Sequence, residues 1–320
     1  NGKLLLTGEY LVLDGAKALA IPTKFGQDLV IEKIEESQLI WGSFTHTGEC
    51  WFEAIFELPK LRLVSATFNS DKEGNAEMIA EILLEILSEA KKMNPDFLNQ
   101  VGGFIVKTKL TFPRNWGLGS SSTLINSIAS WAKVDAFQLL WNSFKGSGYD
   151  IACAQNNSPI FYQLLNQKRI VEPVYFNPSF QENLFFVYLN QKQDSKKGIA
   201  KFKENNQNIK QQIEQISTIS EGFLKANNLS DFEKLIFEHE QIISSIIKLK
   251  PIKQELFSDY FGEIKSLGAW GGDFVLVTGN KETPLYFKNK GFETILSYKE
   301  MIKPTLILPK GGNSEASSID

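Results

Sequence analysis

The chain has 320 residues, of which 42% are hydrophobic and 22% charged, and its formal net charge is −3. This composition is typical of a soluble globular protein without a polyionic surface, so nucleic acid is not an expected partner. The length favours two domains, because each would be large enough to bury its own apolar face.

The sequence gives no support for a membrane segment, a disulfide framework or a zinc site. No apolar run reaches the roughly 18 residues of a membrane span and no signal segment opens the chain, so we expect a cytoplasmic protein with no membrane partner. Because the sequence starts at Asn1, we expect a short leader that was removed or lies outside it. Cys50 and Cys153 are expected to be reduced. His46 and His239 lack metal-ligand spacing, which argues against a zinc site or a serine–histidine triad.

In the first half, predicted strands precede predicted helices. Apolar runs punctuated by glycine, proline and aspartate predict strands at residues 3–15, 17–22 and 28–34. Residues 75–93 carry the stripe of an amphipathic helix, which is formed by Ile79, Ile82, Leu83, Ile86, Leu87 and Ala90. A strand-like run at 102–110 follows, and the apolar spacing from Leu124 to Ala132 predicts a further helix.

The second half has its own alternation of strands and helices. Strands are predicted at residues 183–189, 271–279 and 304–309, and helices at 209–223 and 232–249. We place a domain boundary between residues 166 and 178, where new strands begin. This divides the chain into an N-terminal domain of residues 1–170, a C-terminal domain of residues 171–310 and a polar tail of residues 311–320.

The stretch "FPRNWGLGSSSTL", residues 112–124, combines a glycine-rich turn with three serines before an apolar helix. Such a turn leaves backbone N–H groups pointing outward at a helix N-terminus, where they and the helix dipole favour a phosphate. The competing interpretation is a helix capped by serine, with glycine only making the turn. A Walker loop does not occur in the chain, and a dinucleotide fingerprint fits poorly.

Three motifs in order resemble those of the GHMP kinases, the superfamily of galactokinase, homoserine kinase, mevalonate kinase and phosphomevalonate kinase. They are "NGKLLLTGEYLVLDGAKALAIP", "PRNWGLGSSSTL" and "IKSLGAWGGDFVLV". The resemblance implies an α+β fold of two domains, with an N-terminal nucleotide-binding domain like the ribosomal protein S5 domain 2 and a ferredoxin-like C-terminal domain. The glycine-serine loop is expected at a helix N-terminus facing the cleft between them.

The resemblance implies ATP and Mg²⁺ as cofactors. The expected nucleotide-binding residues are Gly117, Leu118, Gly119, Ser120, Ser121 and Ser122, and Ser121 matches the serine that coordinates Mg²⁺ in mevalonate kinase. The glutamate that supplies a second metal ligand in that kinase has no counterpart here. Asp135 is the only carboxylate between Ser122 and Asp150, and its position does not match.

Two residues are implied as catalytic. Asp150 matches the family's Ser-Gly-x-Asp segment through Ser147 and Gly148, and a carboxylate there can orient the acceptor and take its proton. The alternative is that Asp150 only caps a helix beginning at Ile151. Lys3 matches the family's Pro-Gly-Lys and would offset the charge on the transferred group, although Asn1 stands where the family has proline.

The resemblance also implies a set of acceptor-site residues, which comprises Glu9, Tyr10, Ser147, Gly148, Gly268, Gly271, Gly272 and Asp273. Trp270 replaces a glycine of the third motif, so either that loop has another shape or the indole covers a substrate. Candidate cations for a phosphorylated acceptor are Lys3, Lys17, Lys24, Arg114 and Lys265.

These residues predict an ATP-dependent kinase that transfers the γ-phosphoryl group to a mevalonate-pathway metabolite, with mevalonate or phosphomevalonate as the acceptor. Tyr10, the "GSGYDIA" segment and Asp273 favour phosphomevalonate. The alternatives are a non-catalytic sensor of nucleotide or metabolite and a sugar- or homoserine-type kinase. A homodimer is compatible with the sequence.

Overall fold

The computed structural model of the chain describes residues 1–69, 75–144, 146–166, 168–191, 202 and 209–304. Within these residues, strands and helices follow one another as a mixed α+β arrangement, as the sequence predicts. No helix among them is long and apolar enough to cross a bilayer.

A four-stranded antiparallel sheet carries the start of the chain. Its strands, in sheet order, are β1 (Lys3–Leu5), β2 (Ala18–Pro22), β8 (Ile160–Leu165) and β9 (Lys168–Pro173). Residues 3–15 were expected to form one strand, and that prediction is wrong beyond Leu5. Gly8 and Gly15 have φ angles of 91° and 94°, which interrupt the extended backbone, and residues Leu11–Asp14 between them form a 3₁₀ turn.

A five-stranded sheet lies next in the chain. Its strands are β3 (Gln27–Ile34), β4 (Gln38–Phe44), β5 (Cys50–Glu57), β6 (Arg62–Phe68) and β7 (Gly103–Leu110), in the order β3-β7-β4-β5-β6. Strands β4 and β7 run parallel, and the other pairs are antiparallel. Strands β3 and β7 are predicted by the sequence pattern, but the strands between residues 38 and 68 are not.

Four helices pack on this sheet or lie beside it. They are α1 (Ala76–Met93), α2 (Ser120–Ala132), α3 (Ala136–Ser143) and α4 (Tyr149–Gln155). The predicted helix at 75–93 is confirmed, with Asn75 as its N-cap. Most of its predicted apolar stripe joins the first hydrophobic core, which includes Trp41, Phe56, Leu87 and Ile125, but Ile82 of that stripe is exposed. Helix α2 is therefore packed against the sheet and α1 through Ile125.

The second half forms a sheet of four antiparallel strands with helices around it. The strands, in sheet order, are β11 (Ile264–Ser266), β12 (Phe274–Thr278), β10 (Leu184–Tyr188) and β13 (Ile295–Ser297). The helices are α5 (Lys210–Lys225), α6 (Leu229–Ile247), α7 (Ile252–Leu256), α8 (Thr283–Asn289) and α9 (Tyr298–Met301). The strand predicted at 304–309 lies outside the described residues except for Pro304.

A second hydrophobic core joins the start of the chain to its second half. It contains Leu4 and Ile21 from β1 and β2 together with Phe186, Ile216 and Phe232 from the second half. The N-terminal strands thus pack with both halves. The boundary near residue 170 stays a prediction.

Candidate active site

The glycine loop ends at the N-terminus of α2. Gly117 and Gly119 have φ angles of 67° and 87°, and α2 begins at Ser120 with Gly119 in the capping position. The interpretation of a serine-capped helix is wrong, because all three serines lie inside the first helical turn. No side chain caps this end. The first N–H groups of α2 are therefore available to an anionic ligand.

Both glycines are in contact with other parts of the site. A Cβ at Gly119 would lie 3.0 Å from Lys3 Cε, and one at Gly117 would lie 2.1 Å from Asp273 Oδ2. Neither position has room for a side chain as the neighbours stand. The loop is thus in close contact with β1 on one side and with the third glycine motif on the other.

Lys3 and Asp150 meet beside this loop. Lys3 Nζ lies 3.3 Å from Asp150 Oδ1 and 3.5 Å from the carbonyl oxygen of Gly117. The Lys3 backbone N–H donates to the carbonyl of Leu118 at 3.0 Å, which ties β1 to the loop. Asp150 Oδ1 is itself buried, and Lys3 is its ion-pair partner, so each side chain holds the other in place.

Asp150 is not a helix cap. Helix α4 begins at Tyr149 and has Gly148 at its capping position, with a φ of 91°, so Asp150 is the second helical residue. Gly148 packs against Phe137 and Tyr162, and the Tyr162 hydroxyl donates to the Ser147 carbonyl. Ser147 and Gly148 thus fix the turn that presents Asp150.

Tyr149 completes the surroundings of Lys3 and was not predicted. Its ring centroid lies 5.3 Å from Lys3 Nζ. Burial alone would lower the pKa of Lys3, but Tyr149 and Asp150 more than offset it and raise the pKa above its ordinary value. Burial, and next Asp150, raise the pKa of Tyr149. The site therefore holds a charged ammonium beside a neutral phenol. The one feature of the sequence that could have pointed to Tyr149 is its position between Gly148 and the candidate catalytic residue Asp150.

The described residues contain no group of three histidine, cysteine, aspartate or glutamate side chains that could hold a metal ion. Ser121 is exposed at the N-terminus of α2, where its hydroxyl can face a ligand. Asp135 is the N-cap of α3 and pairs with Arg169 at 2.8 Å. It therefore has a structural role away from the glycine loop.

The third glycine motif reaches the same place from the second half of the chain. Gly268 and Gly271 have positive φ angles of 67° and 92°, and Gly272 is buried. The residue after Asp273, Phe274, packs its ring 5.3 Å from the ring of Trp116, which directly precedes Gly117. Loop 267–273 thus lies against the glycine loop through Asp273 and Gly117.

No family model matches the sequence, and no curated protein is similar to it. Solved structures do match. The mevalonate kinase of Methanococcus jannaschii is 16% identical, with a TM-score of 0.65 over 95% of this chain and 96% of that one. The Streptococcus pneumoniae phosphomevalonate kinase in complex with phosphomevalonate and AMPPNP is 15% identical, with a TM-score of 0.65 over 92% and 98%. The Lactococcus lactis galactokinase complexed with galactose is 11% identical, with a TM-score of 0.60 over 95% and 93%.

The fold is that of the GHMP kinases. The resemblance found in three short motifs is thus confirmed by the fold of nearly the whole chain. Within this GHMP kinase fold, the structure brings together Lys3, Asp150, the glycine loop and Asp273.

Glu9 and Tyr10 are both buried, and each contacts the second half of the chain. Glu9 is 1% exposed and its Oε1 lies 2.7 Å from Lys265 Nζ. The Tyr10 hydroxyl accepts a hydrogen bond from the backbone N–H of Trp270 at 3.1 Å. The Trp270 side chain is itself buried in the second core. Tyr10 therefore connects the first motif to the third.

The cations suggested for a phosphorylated acceptor are mostly in use for structural contacts. The Arg114 guanidinium stacks 3.6 Å from the Trp51 ring centroid. Lys17 pairs with Glu221, and Lys265 is fully buried. Lys24 is exposed. Lys3 is the candidate cation that the structure places beside both Asp150 and the glycine loop.

Proposed function

We propose that the protein is an ATP-dependent kinase that transfers the γ-phosphoryl group to a small-molecule acceptor. The observation that carries this proposal is the Lys3–Asp150 pair. Its 3.3 Å contact lies beside the glycine loop, at the N-terminus of α2, which no side chain caps. Phosphoryl transfer to a hydroxyl uses a carboxylate that orients the acceptor and a cation that offsets charge on the transferred group, and this pair supplies both.

The nucleotide would bind with its phosphates on the glycine loop. The loop and the first turn of α2 offer backbone N–H groups, and Ser120, Ser121 and Ser122 offer hydroxyl groups. Mg²⁺ fits this donor set through the Ser121 hydroxyl, because the ion usually keeps several waters and takes its other ligands from the phosphates. When bound, it would neutralise charge on the phosphates.

The chain's own residues would then act on the acceptor. The Asp150 carboxylate accepts the hydrogen bond of the acceptor hydroxyl and takes its proton as the hydroxyl oxygen bonds to the γ-phosphorus and the bond from that phosphorus to the ADP oxygen breaks. For an acceptor that is already an ionised phosphate, no proton moves and Asp150 serves with Lys3 to position the group. The Lys3 ammonium offsets negative charge on the transferred group.

For the acceptor we propose a mevalonate-class metabolite, phosphomevalonate or mevalonate, handled in the cytoplasm. The support is the "GSGYDIA" segment around Asp150 and the likeness to a mevalonate kinase and to a phosphomevalonate kinase bound to phosphomevalonate. The likeness to a galactokinase makes sugars the competing acceptor class.

A coupled ADP-release assay with ATP and Mg²⁺ tests the proposal. The acceptors are mevalonate, phosphomevalonate, homoserine and galactose, each compared with an acceptor-free control. We expect release that depends on mevalonate or phosphomevalonate. Release with galactose or homoserine alone would overturn the acceptor class. Tight ATP binding without release for any acceptor would indicate a sensor.

A further inference from the structure

Five side chains form a charge cluster that the proposed mechanism does not use. The buried charge cluster consists of Glu9, His239, Glu240, Lys265 and Ser266, none of which is more than 3% exposed. Lys265 Nζ lies 2.7 Å from Glu9 Oε1 and 3.4 Å from Glu240 Oε1. The Ser266 hydroxyl donates to Glu240 Oε2 at 3.0 Å. The cluster thus joins the segment after β1 to α6 and β11.

His239 fixes the same segment through its ring. Its Nε2 lies 3.1 Å from the Gly8 backbone nitrogen and 3.1 Å from Glu9 Oε2. A neutral ring accepts the Gly8 N–H, and a protonated ring donates to the Glu9 carboxylate. Whether the ring is neutral or protonated, His239 therefore connects α6 to the segment of Gly8 and Glu9.

Stability alone does not explain such a cluster. Burying charges costs solvation free energy, and well-packed apolar residues in their place are often at least as stabilising. What an ionic cluster provides and an apolar contact does not is a set of directional contacts that fix a geometry. In this cluster the ion pairs and the Ser266 hydrogen bond supply them, while Glu9 Oε2 and His239 Nδ1 have no hydrogen-bond partner among the described residues.

The residue that follows Glu9 is held in a strained conformation. Tyr10 has φ 62° and ψ −52°, a backbone region that side chains other than glycine rarely adopt. Such strain persists only where the surroundings impose it, and it concentrates at functional sites. Here Glu9 holds one side of Tyr10, and the Trp270 N–H holds its hydroxyl.

The cluster also fixes the start of the third glycine motif. Lys265 Nζ donates to the Ser266 carbonyl at 2.9 Å, and loop 267–273 begins with the next residue. That loop ends at Asp273, against Gly117. The first motif, in turn, carries both Lys3 and Tyr10. Two segments that carry active-site residues are therefore joined at the cluster.

We propose that the buried charge cluster is a positioning device for the acceptor site. Through Tyr10 and its contact with the Trp270 N–H, it fixes the first motif and loop 267–273 at a set place relative to Lys3 and Asp150. Glu9, Lys265 and His239 act through Tyr10 and do not contact the acceptor. This inference rests on the proposed function.

The test uses Lys265→Met and His239→Leu, with His239→Gln as a conservative variant that can still accept the Gly8 N–H. Lys253→Met is the matched control, because Lys253 forms a 2.8 Å ion pair with Glu263 in the same half of the chain, outside the cluster. Steady-state kinetics give kcat and KM for acceptor and for ATP. Hydrogen exchange is followed in residues 7–13 and 267–273.

For both loss variants we expect kcat/KM for the acceptor to fall by about 10²-fold, the effect of misplacing a reacting group by roughly 1 Å. The KM for ATP should stay within about twofold. Exchange should speed up in the two segments, His239→Gln should recover part of the loss, and Lys253→Met should resemble the wild type. If Lys265→Met does not fold, His239→Leu decides.

Unchanged acceptor kinetics with unchanged exchange in folded His239→Leu would overturn the positioning role. So would equal losses for acceptor and ATP, because these indicate a general structural effect. A wild type that phosphorylates no acceptor would overturn the proposed function instead. Exchange then still tests the cluster, since faster exchange confined to the two segments supports it and uniform exchange contradicts it.

Discussion

Lys3 Nζ lies 3.3 Å from Asp150 Oδ1, and the aliphatic part of Lys3 runs across the face of Gly119. One side chain thus contacts the candidate base and covers the glycine that precedes α2. The substitution Lys3→Met separates the effect of the charge from that of the shape, because methionine has a similar length and no charge.

Lys3→Met should reduce kcat by about 10²- to 10³-fold, the usual cost of removing one group that stabilises transition-state charge. The fold should persist, since the packing on Gly119 is kept. Steady-state kinetics and a thermal melt check both points. Lys92→Met is the control, because Lys92 is an exposed lysine of α1 paired with Glu89. Equal losses in the two variants would show that the effect is not local.

Gly119→Ala should weaken ATP binding at least about tenfold, or about 1.4 kcal/mol. The residue would need a φ of 87°, and its Cβ would lie 3.0 Å from Lys3 Cε. Gly26→Ala is the matched control, because its Cβ would have no neighbour closer than 3.5 Å and its φ is not positive. Calorimetry measures both affinities. If ATP binds Gly119→Ala as tightly as it binds the control, the phosphates do not lie on this loop.

Glu9 should make stability depend on pH in acid. Burial alone would raise the pKa of Glu9, but the charges of Lys265 and His239 lower it by more than burial raises it. The pKa of Glu9 in the folded state therefore lies below its ordinary value of 4.5. The unfolded chain therefore binds the proton first as the pH falls, and the stabilisation present above the ordinary pKa is lost as pH falls through the folded one. Thermal melts from about pH 5 to about pH 3 should fall more steeply for the wild type than for Glu9→Gln. Parallel curves would contradict this.

A fragment of residues 1–170 should not fold cooperatively, although the proposed boundary ends there. Leu4, Leu19 and Ile21 belong to one core with Phe186 and Ile216, so the cut exposes apolar surface on β1 and β2. Far-UV circular dichroism and a thermal melt of the fragment provide the measurement. A sharp transition near that of the whole chain would show that the N-terminal part is an independent domain.

The elements predicted from sequence were those with a strong local pattern. Helix α1 was predictable because its apolar residues follow one helical stripe, and the glycine loop because its composition is unusual. Residues 3–15 were misjudged because a short apolar run does not distinguish a strand from a 3₁₀ turn. The positive φ angles of Gly8 and Gly15, which decide the matter, are not visible in the sequence.

The candidate site was predictable only where motifs carried it. Lys3, Asp150 and the glycine loop came from such motifs, and the structure places them together. The Glu9–Lys265–His239 contacts have no sequence signal, because their members are far apart in the chain and are joined only by the packing of α6 and β11. Arg114 looked like a phosphate ligand, yet it stacks on Trp51, a choice that depends on tertiary packing.

The most direct test of the account is Asp150→Asn, measured for turnover with the acceptor found by the screen, for ATP affinity and for melting temperature. Asparagine keeps the shape but cannot take a proton, so turnover should fall by about 10²- to 10⁴-fold while ATP affinity and melting temperature stay close to those of the wild type. Asp135→Asn, at the N-cap of α3, should retain normal turnover, because asparagine caps as well as aspartate. Normal turnover in Asp150→Asn would contradict the central claim that this carboxylate acts on the acceptor.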